Sequence, residues 1–389
     1  MSLLSFIIWS QDPVIFEIPL SFIGLEDRPI VWYGLLFALG FIIAQQVMYY
    51  VFREEGEPEK DIDTLTTYLV IAVIVGARLG HCLFYNPVHY LSNPLEILKV
   101  WEGGLASHGG AIGMFIAIWL YSNYDIRVKT LFGLIPYQLK TKKQKRPKQT
   151  YIWMLDRLAI VTVLVGALIR TGNFMNSEME GTKTNSDYGI IYARGTKEVL
   201  KYNPEKVEEV SFVKGGQAKS DEPGLIPILA TVKFKRGIDF EQERAYFDGR
   251  ITYALHNFSE VVQHIDFGSD VKKIEYDVRK EGVHTYVDIS ALGITRHPAQ
   301  LYEAGACIVI MIIVFWLWKN KRSVMPQGVN FGIFMMLLWS ERFVDEFFKM
   351  NQEAFEEGMV LNMGQILSIP MFLAGAAVVV WAYQTKSKI

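Results

Sequence analysis

Residues 151–170 read YIWMLDRLAIVTVLVGALIR. Twenty such residues, rising 1.5 Å each, cover the roughly 30 Å of a bilayer's hydrocarbon core. Asp156 and Arg157 lie near the start, where a helix-end pair reaches polar surroundings, and Arg170 closes the stretch. The pattern is that of a membrane-crossing helix with a charge at each end. Working outward, it recurs at Ile30–Phe52, Ile62–Tyr85, Leu105–Tyr121, Ala299–Lys319, Gly328–Asp345 and Asn362–Tyr383. The third and sixth spans in chain order, Leu105–Tyr121 and Gly328–Asp345, are shorter and more polar. The expected fold class is therefore a polytopic α-helical membrane protein with about seven transmembrane helices.

The bulk composition hides this. The 389 residues carry 39 Lys+Arg and 41 Asp+Glu, a net charge of -2, and 51% are hydrophobic. Mean hydropathy is +0.18. Nearly half of the charged residues fall between Asn176 and Pro298, which leaves the rest depleted of charge as membrane spans require. Near-neutrality excludes a strongly basic nucleic-acid binder, and the hydrophobic fraction excludes disorder. Two cysteines, Cys82 and Cys307, exclude a disulfide scaffold or a cysteine-rich metal site and read as small apolar fillers. Met1–Ser10 has neither a basic n-region nor a small-residue cleavage site, so it does not read as a removed signal peptide.

Lys/Arg bias orients the spans. The Asn123–Thr150 loop carries Arg127, Lys129, Lys140, Lys142, Lys143, Lys145, Arg146 and Lys148 against Asp125. Lys319, Lys321 and Arg322, and then Lys386 and Lys388, fall on the same side, which the rule makes cytoplasmic. This predicts N-out, C-in. Arg53–Asp61 should then be cytoplasmic yet is acidic. The long Asn176–Pro298 region faces outward with Asn86–Gly104 and the acidic Lys349–Leu361 loop. In that region Val271–Val278 and Val283–Ala291, split by Arg279–Gly282, read as a hairpin, Ile226–Lys235 as a strand and Phe247–His264 as a helix. The expected division is residues 1–175 (an N-terminal segment and spans 1–4), 176–298 (an extracytoplasmic inserted α/β head domain) and 299–389 (spans 5–7).

Ionisable groups inside spans cost roughly 2.5–3.5 kcal/mol each and mark functional sites by default. This chain has Arg78, His81, His108, Arg170, Glu303, Glu341, Arg342, Asp345 and Glu346. With the predicted orientation, Tyr33, Arg78, His108, Arg170, Gln300, Tyr302, Glu303 and Arg342 all fall in the outer half of the membrane. Three arginines without a matching set of nearby acids suit an anion, and the guanidinium fork suits phosphate. His108 precedes Gly109 and Gly110, whose lack of side chains permits close packing or approach by a substrate, and a histidine there suits a general base. No zinc spacing and no GxSxG elbow is present. The residues describe an enzyme acting on a lipid headgroup in the outer leaflet. A transporter or flippase of an anionic lipid is the alternative, although no repeat is evident and the cluster is one-sided. A membrane-anchored binding protein would not need such costly charges.

Particular motifs then resemble one family. Trp32-Tyr33-Gly34, GARLGHCLFYN (76–86), EGGLASHGGAIG (102–113), RTGNFMNSEMEG (170–181), RHPAQLYE (296–303), ERFVDEFFK (341–349) and NMGQILSIP (362–370) occur in order. Together they are similar to bacterial prolipoprotein diacylglyceryl transferase along nearly all the membrane part. The resemblance implies transfer of the diacylglyceryl group of phosphatidylglycerol to the thiol of a lipobox cysteine in a pre-lipoprotein signal peptide. A thioether forms and glycerol phosphate leaves, in the bacterial inner membrane, without cofactor, metal or nucleic acid. It implies that Arg170, with Asn173, Glu178 and Gly181, binds the lipid, that Arg342 stabilises the departing phosphate and that His108 deprotonates the thiol. Tyr33, Arg78, Gly109, Gly110, Gln300, Tyr302, Glu303 and Glu346 line or brace the cavity. Leu338 stands where the family commonly has a tyrosine, and the outward insertion is longer than in compact members.

Overall fold

The computed structural model describes all residues except 1–5, 25, 101–102, 132–134, 144–145, 147, 351–355, 357 and 387–389. Part of Met1–Ser10, Glu102, Lys145, part of the Lys349–Leu361 loop and Lys388 lie outside the described residues, as do the side chains of Arg127, Lys129, Lys140 and Lys386. In chain order the elements are β1 (Phe6–Trp9), β2 (Val14–Ile18), β3 (Arg28–Val31), α1 (Trp32–Glu55), α2 (Lys60–Phe84), α3 (Pro87–Ser92) and α4 (Ser107–Asn123). Then come β4 (Tyr124–Leu131), β5 (Ile135–Lys143), α5 (Tyr151–Met175), β6 (Gly189–Tyr192), α6 (Arg194–Leu200), β7 (Val207–Lys214) and β8 (Leu225–Phe234). The rest are α7 (Phe240–Tyr246), α8 (Thr252–Asn257), α9 (Ser259–Val262), β9 (Ile265–Asp266), β10 (Tyr276–Glu281), β11 (His284–Ile294), α10 (Ala299–Lys321), α11 (Val329–Asp345) and α12 (Met363–Lys386). Among the described residues five helices, α1, α2, α5, α10 and α12, are long and apolar enough to cross a membrane. The protein is a polytopic, largely helical membrane protein. The other two expected spans correspond to α4 and α11, helices of 17 residues each.

The chain divides into two compact units: residues 1–38, 167–306 and 341–368, and residues 39–166, 307–340 and 369–389. In the first, an antiparallel sheet runs β10-β11-β8-β7, with β9 paired to β11. β8 and β11 alternate between half-buried and buried residues, so one face packs inward. Ile228, Ala230, Val232 and Phe234 from β8 and Val287 and Ile289 from β11 meet Phe240, Phe247 and Leu255 from the covering helices. The expected hairpin is present with its turn two residues later. Glu281 pairs with His284 and Gly282 takes φ 61°, which a glycine adopts without strain. The expected helix over 247–264 is broken. Phe247–Ile251 forms a wide π turn, and Phe258, extended at φ −78°, ψ 124°, separates α8 from α9.

The second unit explains the acidic loop that dissents from the charge rule. Its carboxylates are counter-charges within the protein. Glu54 meets Lys319 at 2.8 Å and Arg322 at 3.2 Å. Glu55 accepts from Arg157 (2.8 and 2.9 Å) and from the indoles of Trp153 (3.1 Å) and Trp318 (2.5 Å). Gln149 donates to Glu57 at 2.8 Å and to Asp61 at 2.9 Å, while accepting from the buried Tyr121 hydroxyl. Asp156 caps α11, accepting from the backbone of Gly328 (2.7 Å) and Phe331 (2.8 Å). The basic loop is partly a β4–β5 hairpin. Its charged and apolar residues alternate through Tyr124–Leu131, beneath the net positive charge of the lysine run.

α2 and α4 pack at glycines. A Cβ on Gly76 or Gly109 would enter the backbone of the facing glycine, and one on Gly80 would lie 2.8 Å from Gly109 Cα. Backbone cannot yield as a side chain tip can. Gly109→Ala is expected to cost roughly 1–3 kcal/mol or more, read as a lower Tm of the purified protein. An unchanged Tm would refute the close-packing role.

Candidate active site

Three helix ends of the first unit supply a charged network. Arg170 lies in the last turns of α5, Glu303 in the second turn of α10, and Arg342 near the end of α11, followed by Glu346 and Lys349. Glu303 is buried and is the hub: Arg170 Nε, Arg342 Nη1 (3.2 Å) and Lys349 Nζ all reach its carboxylate. Lys349 also meets Asp345 at 3.0 Å, and Arg342 Nη2 meets Glu346 at 2.7 Å. The side chains of Glu303 and Lys349 are 4% and 2% exposed, those of Arg170 and Arg342 22% and 26%. Two guanidinium groups are thus anchored from behind by sealed charges and keep an accessible edge. The expectation of arginines without nearby acids does not hold for this pair. Burying a lone cation is too costly, so each comes with a carboxylate.

The following motif braces Arg170. Asn173 Oδ1 accepts from Arg170 at 3.3 Å, and Asn173 Nδ2 donates to Glu178 at 3.1 Å, as does Asn176. Gln300 donates to the Glu178 carbonyl at 2.6 Å and accepts from the Tyr192 hydroxyl at 3.1 Å. Ser177 and Met179 adopt left-handed φ of 50° and 57°, a strain that non-glycine residues accept only where surrounding contacts hold them. Residues 180–184 then run between 295–297 and 348–350: Gly181 N donates to His297 O (3.0 Å), Thr182 N to Phe348 O (2.8 Å) and His297 N to Thr182 O (2.9 Å). A Cβ on Gly181 would strike His297 and lie 2.7 Å from Phe348 O, so this ribbon requires glycine there. It joins three motifs that are far apart in sequence.

Tyr33 lies with its backbone against Gly172, where a Cβ would come within 2.9 Å of Tyr33 Cα. Tyr302 shares a 3.2 Å hydrogen bond with His297. Glu346 accepts from Asn362 at 3.0 Å, and Gly364 leaves room for its carboxylate. Asn362 and Gln365 cap α12 reciprocally, backbone N–H to side chain, at 2.9 and 3.1 Å.

Glu180 faces away from this network, toward His264, with Nε2 at 3.1 Å. Burial pushes the Glu180 carboxyl up to about 8 against the opposing pull of Arg296. Burial, reinforced by Arg296, pushes His264 down to about 3. At neutral pH they form an uncharged hydrogen-bonded pair. The unfolded chain holds the His264 proton up to about 6.5 and loses that of Glu180 near 4.5. The pair therefore makes stability rise with pH between about 3 and 4.5, offsets itself up to about 6.5, and lowers stability from there to about 8. Glu180→Gln is expected to remove the falling limb between pH 6.5 and 8 in thermal unfolding. A variant that keeps it would contradict the assignment.

Arg78, His108, Gly109 and Gly110 belong to the second unit. Arg78 is buried and donates to the carbonyls of Glu96 (2.6 Å), Ile97 (3.0 Å) and Gly103 (2.6 Å), beneath the Tyr90 ring. Its donors hold a loop. His108 is the exposed second residue of α4, packed edge-on by Phe84 with centroids 5.3 Å apart. Gly109 serves the contact with α2, and Gly110 packs at ordinary distances.

Lys349, Tyr192, Asn362 and Glu180 were not singled out as site residues. Lys349 stood three and four residues after Glu346 and Asp345, a helical ion-pair spacing that marks it in retrospect. Tyr192 has no local signal. Among the described residues, Glu303, Glu341 and Asp345 form the one group of three carboxylates with oxygens within 4.8 Å. The ammonium of Lys349 already contacts two of them.

Long apolar helices and a half-sealed arginine–carboxylate network define a polytopic membrane protein. The chain belongs to the prolipoprotein diacylglyceryl transferase family, whose pattern it matches over residues 20–381. It is 30% identical over 380 residues to the phosphatidylglycerol–prolipoprotein diacylglyceryl transferase of Tolumonas auensis, covering 98% of this chain and 99% of that one. It is 31% identical over 388 residues to the enzyme of that name from Porphyromonas gingivalis, covering 98% and 96%. A Bacteroides fragilis relative of the same name is 27% identical over 386 residues. The family makes the protein a transferase. The transporter alternative gains no support from these relatives.

Proposed function

We propose that the protein transfers the sn-1,2-diacylglyceryl group of phosphatidylglycerol to the lipobox cysteine thiol of pre-lipoproteins, the first step of bacterial lipoprotein maturation. The observation that carries this is the pair Arg170 and Arg342, braced on Glu303 with one edge accessible. Such a pair suits a phosphodiester whose negative charge grows as its ester bond breaks. The thiol loses its proton, its sulfur forms a bond to the glyceryl carbon, and the carbon–oxygen bond breaks with its electrons leaving on glycerol phosphate. A free thiol, with pKa about 8.5, is mostly protonated at neutral pH, so a base is useful. His108, exposed at the start of α4, is the candidate for it. Asn173, Glu178 and Gly181 hold Arg170 in place, with Gln300 and Tyr192 behind them.

The membrane arrangement belongs to the same reading. α4 and α11 join the five longer helices to make seven spans, N-out and C-in, in the bacterial inner membrane. Residues 1–175 and 299–389 then carry the spans, and 176–298 form the α/β head outside, between spans 4 and 5. The site opens toward the outer leaflet. Lys/Arg loop bias supports this orientation.

Purified protein incubated with phosphatidylglycerol and a lipobox peptide is expected to yield a diacylglyceryl thioether, detected by mass spectrometry. No adduct under conditions where a relative works would sink the reading.

A further inference from the structure

The first unit holds a cavity of about 420 Å³ whose lining residues all lie outside the membrane-crossing helices. That volume is in the range of ligand-binding pockets. Four stretches line it: 177–180, 192–198, 259–264 and 349–350. Its position matters because two of these stretches also belong to the arginine–carboxylate network. Glu178, within the first, is bonded to Asn173 beside Arg170, whereas Ser177, Met179 and Glu180 line the cavity. Lys349 lines the cavity and contacts Glu303. An occupant would sit one side chain away from the proposed chemistry.

Its charge is ill suited to a second phosphate. Two cations, Arg194 and Lys349, line it against Glu198 and Glu260, so it carries no excess of positive charge. Arg194 meets Glu198 at 2.8 Å and the Asn176 carbonyl at 2.6 Å. Lys349 is held by Glu303 and Asp345. Glu180 and His264 Nε2 meet each other at 3.1 Å, while His264 Nδ1 is buried without a hydrogen-bond partner among the described residues. The rest of the lining mixes Ser177, Ser259, Gln263 and Glu260 with Met179 and Met350, whose sulfurs lie 3.1 and 3.0 Å from the guanidinium groups of Arg170 and Arg296. A polypeptide offers one donor and one acceptor per residue, and methionines adapt to varied side chains.

We propose that this cavity receives the acceptor polypeptide, at a short segment next to the residue whose thiol is alkylated. The inference rests on the transferase reading above and adds to it a place for the second substrate. One thing distinguishes that place from the lipid site: its lining lies outside the spans, whereas Arg170 and Arg342 lie within α5 and α11.

Steady-state kinetics of the full-length protein test this, with lipobox peptide and phosphatidylglycerol varied separately. Ser259→Trp, which fills the mouth, is expected to raise the peptide KM about tenfold, equivalent to about 1.4 kcal/mol of lost binding. The phosphatidylglycerol KM should stay at the wild-type value. Gln263→Trp provides a second filling variant, and Tm checks that each folds. Independently, a lipobox peptide bearing a benzophenone beside its cysteine should cross-link to wild-type protein within 177–180 or 259–264. Cross-links confined to other segments overturn the proposal. So do folded variants that leave the peptide KM unchanged, or that raise the lipid KM instead. A wild-type protein that forms no adduct overturns the transferase reading and this inference with it. An active wild type with unaffected variants overturns the inference alone.

Discussion

Lys349→Met is expected to destabilise the protein by on the order of 3–5 kcal/mol, the cost of stranding buried partners of an ion pair. The Lys349 side chain is 2% exposed and lies against Glu303 and Asp345, themselves 4% and 3% exposed. Without the ammonium, Asp345 loses its 3.0 Å partner and Glu303 loses one of three cations. Lys349→Arg keeps the charge and should recover much of the loss. Thermal unfolding of the purified variants reads the difference, and a methionine variant as stable as wild type would remove Lys349 from the network. Activity should fall with stability, since Glu303 also holds both arginines.

Arg170→Ala and Arg342→Ala are expected to behave in the opposite way. Each should lower turnover by about 10²–10³-fold or more, the scale of losing one preorganised donor to developing charge, with the fold retained. Their side chains are partly exposed, and without either of them Glu303 still keeps two of its three cations. Lysine at either place should not restore activity, because a point charge cannot span two oxygens while keeping its bond to Glu303. Full turnover by either alanine variant in the adduct assay would exclude that residue from the site. The contrast between Lys349 and the arginines separates the charge that supports the network from those that meet the substrate.

Much of this was legible along the chain. Five long helices follow from runs of some twenty apolar residues, because burying backbone polar groups in lipid leaves few other conformations. The strand expected at Ile226–Lys235 and the hairpin expected at Val271–Val278 and Val283–Ala291 show in alternation and turn residues, and the structure places them at Leu225–Phe234, Tyr276–Glu281 and His284–Ile294. Arg170, Glu303, Arg342 and Glu346 stood out because charge inside an apolar run is expensive. The break at Phe258 was not legible, since it depends on how α8 and α9 cover one sheet. Nor was the role of Arg78, which looked like an anion ligand until its carbonyl partners at Glu96, Ile97 and Gly103 were seen.

The opening stretch, Tyr151–Arg170, shows where the two sources of information part. Its length and hydropathy specified a membrane helix ending in a charge, as local properties of the chain that no packing could reverse. The partner of that charge was not written beside it. Glu303 lies more than a hundred residues away and Lys349 further still, and Glu303 meets both Arg170 and Lys349 only when the ribbon around Gly181 draws three chain segments together. Pairing of buried charges depends on distances of a few ångström in a medium of low dielectric, and those distances are set by the folded chain. The residues for the chemistry were visible in order, and tertiary packing decided which of them neutralise one another and which keep an edge for the substrate.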